Sequence, residues 1–468
     1  MANSFLSRTP GSTTDAQRKQ FTISMWVKRS TLLTGSSHQE LVSTNATDQF
    51  GFRFQGDNKL DIFDYSVSGN NYPLRLVTNR LFRDTSAWYN IILQVDTPNA
   101  TSSNRVKLWV NGVQETSFGT ATYPSQDYVT TWNKNGLHQI GSKAWGNSGN
   151  GQNFFDGYIS HLSNVAGSVV APTVFGQTDS TSGIWKFKQP SGVTWGNNGF
   201  HLKFENSAAL GTDSSGNTNT FTVNGNLKQA LDTPSNVYAT FNSLINPNGA
   251  TLANGNTYSS KSSAHATVQS TIPCGYPNAP STAKFYWECK MEATDGRTVG
   301  LVKSNMPQIS SWYNDYLGQN SGGDGVIGYY LGTYVDGTQA DVAWNGTAPQ
   351  VTISGGWSAG DILVNAYDAS TGKYWQGKNG VWFTVGGGVG NPATGAYPLV
   401  TLNATDRTHD IFPADSSYDG RWSWNFGNGY FKTTAITSAG SNGNGSLFEY
   451  DVPSGYYALN TKNINTYG

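Results

Sequence analysis

Two stretches of this chain alternate apolar and polar residues with period two and then stop on Asn-Gly. The first, residues 88–115, reads WYNIILQVDTPNATSSNRVKLWVNGVQE. Tyr89, Ile91, Leu93 and Val95 share one side, with Asn90 and Gln94 on the other, and Val106, Leu108 and Val110 share one side of the return run. Successive side chains of a strand point to opposite faces, so the pattern predicts two strands packed on a core through one face. Asn111-Gly112 supplies a tight turn, because both residues tolerate the positive φ that hairpin turns need. The second stretch, 361–383, reads DILVNAYDASTGKYWQGKNGVWF. Ile362, Val364 and Ala366 alternate, Asp368 closes the strand, Ser370-Thr371-Gly372 turns the chain, 373–376 returns, and Asn379-Gly380 turns again. A chain that carries this layout twice is restricted to strands packed face to face, and predicts two domains of related architecture.

Composition agrees and excludes several functions. A length of 468 residues is too great for one ordinary domain. Gly reaches 54 residues and aromatics 13%, while charged residues are only 13%, about half the usual share. Many short strands joined by Gly, Asn and Ser turns fit that balance, so the expected class is all-β. The plentiful aromatic and β-branched residues exclude a disordered chain. Net charge is −1 with no basic block, which excludes a dedicated nucleic-acid role. No apolar run approaches the ~18 residues of a spanning helix, so no membrane insertion is expected. The opening MANSFLSRTPGSTTDAQRKQ lacks the apolar core of a secretory signal, which predicts synthesis and assembly in a cytosol. Cys274 and Cys289 are too few for a disulfide framework. Cys289, inside FYWECKM, reads as a small buried apolar residue, with a bridge to Cys274 as the alternative.

Taken in order, residues 1–20 read as a polar N-terminal arm. Residues 21–180 hold the first sandwich: FTISMWVKR, QFGFRF, KLDIF, the hairpin above, QIGS at 139–142, and FFDGYISHLSNV at 154–165. That series of strands resembles the laminin-G-like, concanavalin A-like β-sandwich. Residues 181–235 read as a structured connector. In the second domain, 236–468, KFYWECKM, VIGYYLGTYVDG, the second hairpin and WSWNFG resemble the SPRY-type sandwich, followed by a C-terminal extension. The fold expected is therefore two concanavalin A-like or jelly-roll sandwiches in tandem, laminin-G-like and then SPRY-like. The opening SFLSRTP, the run LDTPSNVYATFN at 231–242 and PSGYYALNTKNI at 453–464 resemble virion proteins of tailed bacteriophages of marine and cyanobacterial hosts. That resemblance covers almost the whole chain. It implies a structural protein of the phage particle, such as a tail fibre, spike or knob, with a capsid decoration protein or a soluble lectin as alternatives.

No catalytic constellation is legible. Glycanases on this fold set paired carboxylates on one strand, one protonated and one ionised. Glu40, Glu115, Glu205, Glu288, Glu292 and Glu449 do not sit in such a motif. Glu288 and Glu292 share parity, and read as surface residues of an edge strand. The 6 His form no metal-binding spacing. The expectation is a protein that is not an enzyme, a polysaccharide depolymerase being the disfavoured third reading.

Sugars dock on aromatic faces, with amides and carboxylates bonding the hydroxyls. Three loops offer that chemistry: Trp132 with Asn133, Trp145 with Asn147, and Trp312 with Tyr313. Each competes with a plainer role, a Trp that caps the core. No cofactor is expected, and Ca²⁺ is the one ion the sequence admits, through Asp213, Asn217 and Asn219 or through Asp96 with Asp156. The plainer reading of the first set is an Asx turn whose side chains bond their own backbone. The partners implied are other virion proteins, further copies of this chain and a host-surface glycan.

Overall fold

The computed structural model describes residues 3–468 apart from 46–47, 145–150, 247–248, 263–265, 294–296, 305–330, 336–338, 345–346, 355–356 and 418–419. The chain divides into two compact units, Met1–Gln229 and Ala230–Gly468. Each is an antiparallel β-sandwich, so the protein is all-β with two sandwiches in tandem.

In the first unit an eight-stranded sheet runs in the order 118–122, 71–78, 60–66, 49–55, 38–45, 137–140, 5–8, 222–224. A six-stranded sheet runs 200–202, 157–166, 20–29, 89–96, 106–110, 113–115. The hairpin forms in the register its periodicity requires: Ile91 faces Val110, Leu93 faces Leu108 and Val95 faces Val106. Those residues join Phe21, Ile23, Met25 and Val27 in one buried core with Phe50, Phe52 and Phe54 of the other sheet. Asn111 and Gly112 adopt φ of 49° and 76°, the two left-handed residues of a primed turn.

Two boundaries move. Residues 1–20 are not a loose arm: Phe5–Arg8 is a strand between Leu137–Ile140 and Thr222–Asn224, and Leu6 is buried in the core. Nor are residues 181–235 a separate connector. Phe200–Leu202 pairs with Gly157–Ala166, and Thr222–Asn224 pairs with the first strand. The segment around Phe175 and Trp195 covers the back of the six-stranded sheet, where Ile92 and Val165 are buried. Ile92 breaks the alternation beside Ile91 because that strand is buried on both faces.

In the second unit one sheet runs 251–253, 258–260, 421–425, 284–291, 362–368, 373–378, 381–382, and 457–458 adds in parallel to 284–291. The other runs 266–269, 411–417, 297–303, 331–335, 339–344, 347–354. Phe285, Trp287, Cys289, Leu363 and Tyr374 point into the core that includes Val299, Leu301 and Ile411 of the facing sheet. The alternate residues Tyr286, Val364, Ala366 and Trp375 lie in a second cluster with Phe448, Val452 and Tyr456 of the C-terminal strap. Cys274 and Cys289 are both buried and unbridged.

Candidate functional site

The strap and the second Asn-Gly turn build an open cleft of about 600 Å³ in the second unit. Its lining comes from three segments: 379–382, 390–393 with Asn442, and 449–454. Asn379 and Gly380 take φ of 50° and 81°, which lets Lys378 pair directly with Val381. The turn is fastened to the start of the neighbouring strand. Asn379 accepts the Ile362 N–H through Oδ1 at 2.8 Å and donates its own N–H to the Ile362 carbonyl at 2.8 Å. Its Nδ2 donates to Asp361 at 2.8 Å, and Lys378 pairs with the other Asp361 oxygen at 2.8 Å. Burial pushes the Asp361 carboxyl up, but the bonds from Lys378, Asn379 and Ser358 outweigh it and hold it below its ordinary value.

The opposite wall is fixed by a buried carboxylate. Glu288 accepts the backbone N–H groups of Glu449 and Tyr450, each at 2.9 Å, the Tyr286 hydroxyl at 2.9 Å and the Asn425 amide at 3.3 Å. Phe448 and Val452 turn inward onto the sheet, so Glu449 and Asp451 turn outward to solvent. The Tyr450 ring lies on the turn glycine: a Cβ at Gly380 would sit 2.6 Å from its Cδ1. Trp382 is half-buried, edge-on to Tyr286 with ring centroids 6.4 Å apart. Asp451 accepts the Ser441 N–H at 2.6 Å, and that bond holds its carboxyl below the ordinary range. The described lining thus joins two aromatic rings, exposed amides and two carboxylates, with no cationic side chain. Such a surface stacks on an apolar ring face and accepts hydrogen bonds from hydroxyls or amines.

The residues singled out from sequence fall elsewhere. Trp132 is fully buried between Phe50 and His138, with ring centroids at 5.3 and 4.7 Å, and its indole N–H donates to Asn164 at 3.0 Å. Its faces and its donor are committed to the core, so it offers no sugar platform. Trp145, Asn147, Trp312 and Tyr313 lie outside the described residues. Asp213 spends both oxygens on its own turn and the neighbouring strand: Oδ1 accepts the N–H groups of His201 and Ser215, each at 2.9 Å, and Oδ2 accepts the Ser215 hydroxyl and the Asn219 N–H, each at 2.8 Å. The Asn217 and Asn219 amides donate to the carbonyls of Gly196, Gly199 and Asn197, and Asn219 Oδ1 accepts from the Arg8 guanidinium. The plainer reading therefore replaces the calcium site, with Arg8 supplying the positive charge. Asp96 lies by Gln20 and Asp156 by Arg29, at opposite ends of one strand and so about 30 Å apart. Among the described residues no group of His, Cys, Asp and Glu is arranged to hold a metal.

Glu288 is not on an edge strand. Lys284–Met291 lies between Ile362–Asp368 and Arg421–Asn425, and the strap closes over the carboxylate. Glu292 is held by Ser423 at 2.5 Å and Lys432 at 2.8 Å, away from Glu288's partners. Sequence reading missed Trp382, Glu449, Tyr450 and Asp451. The available signal was the run EYDVPS at 449–454, where acidic and apolar residues alternate without a strand's length.

Residues 7–165, 159 of the 468, match the laminin-G family model described as the concanavalin A-like lectin/glucanases superfamily. The SPRY domain of human HERC1 aligns at 11% identity over 39% of this chain and 96% of that domain, with a TM-score of 0.27. The mouse laminin alpha1 chain, domains LG4-5, aligns at 10% identity over 90% of this chain and 84% of that one, with a TM-score of 0.27. Ruminococcus gnavus IT-sialidase CBM40, bound to alpha2,3 sialyllactose, aligns at 15% identity over 34% of this chain and 80% of that one, with a TM-score of 0.26. Scores this low bear on neither site nor ligand. No curated protein matches the chain.

Proposed function

We propose that this chain is a non-enzymatic glycan-binding protein displayed on a bacteriophage particle, and that the cleft of the second sandwich holds the sugar. One observation carries the binding reading: the open cleft that sets Trp382 and Tyr450 beside the exposed groups of Glu449, Asp451 and Asn391. The laminin-G match over residues 7–165 supports a carbohydrate-binding or adhesion role for the chain only at the level of fold, and does not bear on the cleft. Placement on a particle rests on the sequence resemblance alone.

The non-catalytic reading follows from where the carboxylates lie. A glycoside hydrolase needs one carboxyl kept protonated and within reach of the scissile bond. Glu288, pushed up to about 7 by burial, has that protonation but is sealed beneath the strap. Asp451, which lines the cleft, is shifted the other way.

Isothermal titration of the whole chain against neutral plant, algal and bacterial polysaccharides tests the reading. Trp382→Ala is expected to weaken a binding glycan about tenfold while leaving the thermal midpoint within a few degrees. No binding to any of them, or an unchanged affinity in the variant, sets the cleft aside. No reducing ends are expected from the polysaccharide, and EDTA is expected to leave binding and melting unchanged. Absence of the chain from purified particles would end the virion part of the proposal.

A further inference from the structure

Beside the cleft lies a residue that the fold holds at a cost and does not bury. Tyr397 is 50% exposed and sits at φ 45°, in the left-handed region that a bulky residue rarely enters. Its ring lies flat on the backbone of Gly388, where any Cβ would run into the ring atoms. One ring face is therefore covered and the other stands open.

The position is fixed by a clasp. Asn391 and Ala396 exchange backbone bonds at 2.9 and 3.1 Å, and the Ala396 carbonyl also accepts the Trp375 indole N–H at 2.8 Å. Lys373 donates to the Gly395 carbonyl at 2.9 Å. The clasp joins Tyr397 to the cleft: Asn391, Pro392 and Ala393 line the cleft, and a Cβ on the lining residue Gly390 would stand 3.3 Å from the Tyr397 carbonyl oxygen. Val381, another lining residue, is 69% exposed. Strain accepted for an exposed ring is understandable when the ring meets a ligand.

We infer that the cleft and Tyr397 form one track for a linear glycan that is neutral or carries amino groups, with one sugar between Trp382 and Tyr450 and a later sugar on the open face of Tyr397. The inference rests on the glycan reading of the cleft. Charge selects the class of ligand. Glu449 and Asp451 are exposed and no cation stands among the described residues lining the cleft, the nearby Lys373 ammonium being bonded to the Gly395 carbonyl in the clasp, so uronic, sialic or sulfated sugars meet like charge at the cleft end of the track.

Calorimetric titration of the whole chain with cello-, xylo- and chito-oligosaccharides, from disaccharide to hexasaccharide, tests this. Oligogalacturonates serve as the acidic comparison. Affinity is expected to rise about tenfold with length and then level off, with the acidic series binding more weakly. Tyr397→Asn removes the ring but keeps a residue that tolerates positive φ. It is expected to erase the gain with length while leaving the disaccharide unchanged. Tyr397→Phe, which keeps the ring, is expected to retain the gain, and melting curves of both variants control for folding. Binding whose gain with length survives Tyr397→Asn, or acidic oligomers that bind as tightly as neutral ones, would overturn the track and leave the cleft standing. No binding by any oligomer would overturn both.

Discussion

Glu288 shows how far one residue's chemistry departs from its place in a sequence. Burial raises its pKa from 4.5 to about 7, outweighing the four donors that point at it. The sign follows from proton counting. Between pH 4.5 and about 7 the folded state holds a proton that the unfolded state has released, so stability falls as pH rises through that window and levels off above it. The full effect is about 3 kcal/mol. Glu40, raised to about 7, and Asp64, raised to about 6, act in the same direction in the first unit. The informative measurement is thus a difference: Glu288→Gln is expected to flatten the pH dependence of urea unfolding in the second unit relative to the unaltered chain. An unchanged slope would mean that Glu288 ionises normally in the fold. Nothing local marks this residue, since KFYWECKM reads the same whether or not a strap closes over Glu288.

At the scale of elements, the two Asn-Gly hairpins repeat in chemical detail. Asn111 exchanges bonds with both backbone groups of Asn90, at 2.8 and 2.9 Å, just as Asn379 does with Ile362. Each turn glycine lies under an aromatic ring from a later segment, Trp185 over Gly112 and Tyr450 over Gly380. The difference is what the ring does next. Trp185 donates its indole N–H to Asn90 at 2.9 Å, which ties it to its own sheet, whereas Tyr450 lines the cleft. Gly112→Ala and Gly380→Ala each add a Cβ at positive φ and press it into a ring. Each is expected to cost about 2 kcal/mol in chemical denaturation. Only Gly380→Ala is expected to abolish glycan binding in a titration, because only its ring belongs to the site. The turns themselves were legible from Asn-Gly and the flanking alternation. The strand Phe5–Arg8 was not, because it is 4 residues long and its partners, Leu137–Ile140 and Thr222–Asn224, lie far along the chain.

The whole molecule is two units, Met1–Gln229 and Ala230–Gly468, each with its own apolar core. A fragment spanning 230–468 is therefore expected to fold with a cooperative melt and to bind glycan as tightly as the full chain, while 1–229 folds without binding. Loss of cooperative melting in either fragment would show that the cores depend on each other. The sequence by itself determined the all-β class, the pairing within each hairpin and the two-domain plan, because a period of two and a positive-φ turn are properties of neighbouring residues. Only tertiary structure decided that Trp132 serves the core, that Asp213 is spent on its own turn and that 379–382, 390–393 and 449–454 share a wall. Those outcomes depend on which remote segment covers each sheet face, and a side chain's burial is set by that cover rather than by its neighbours in the chain.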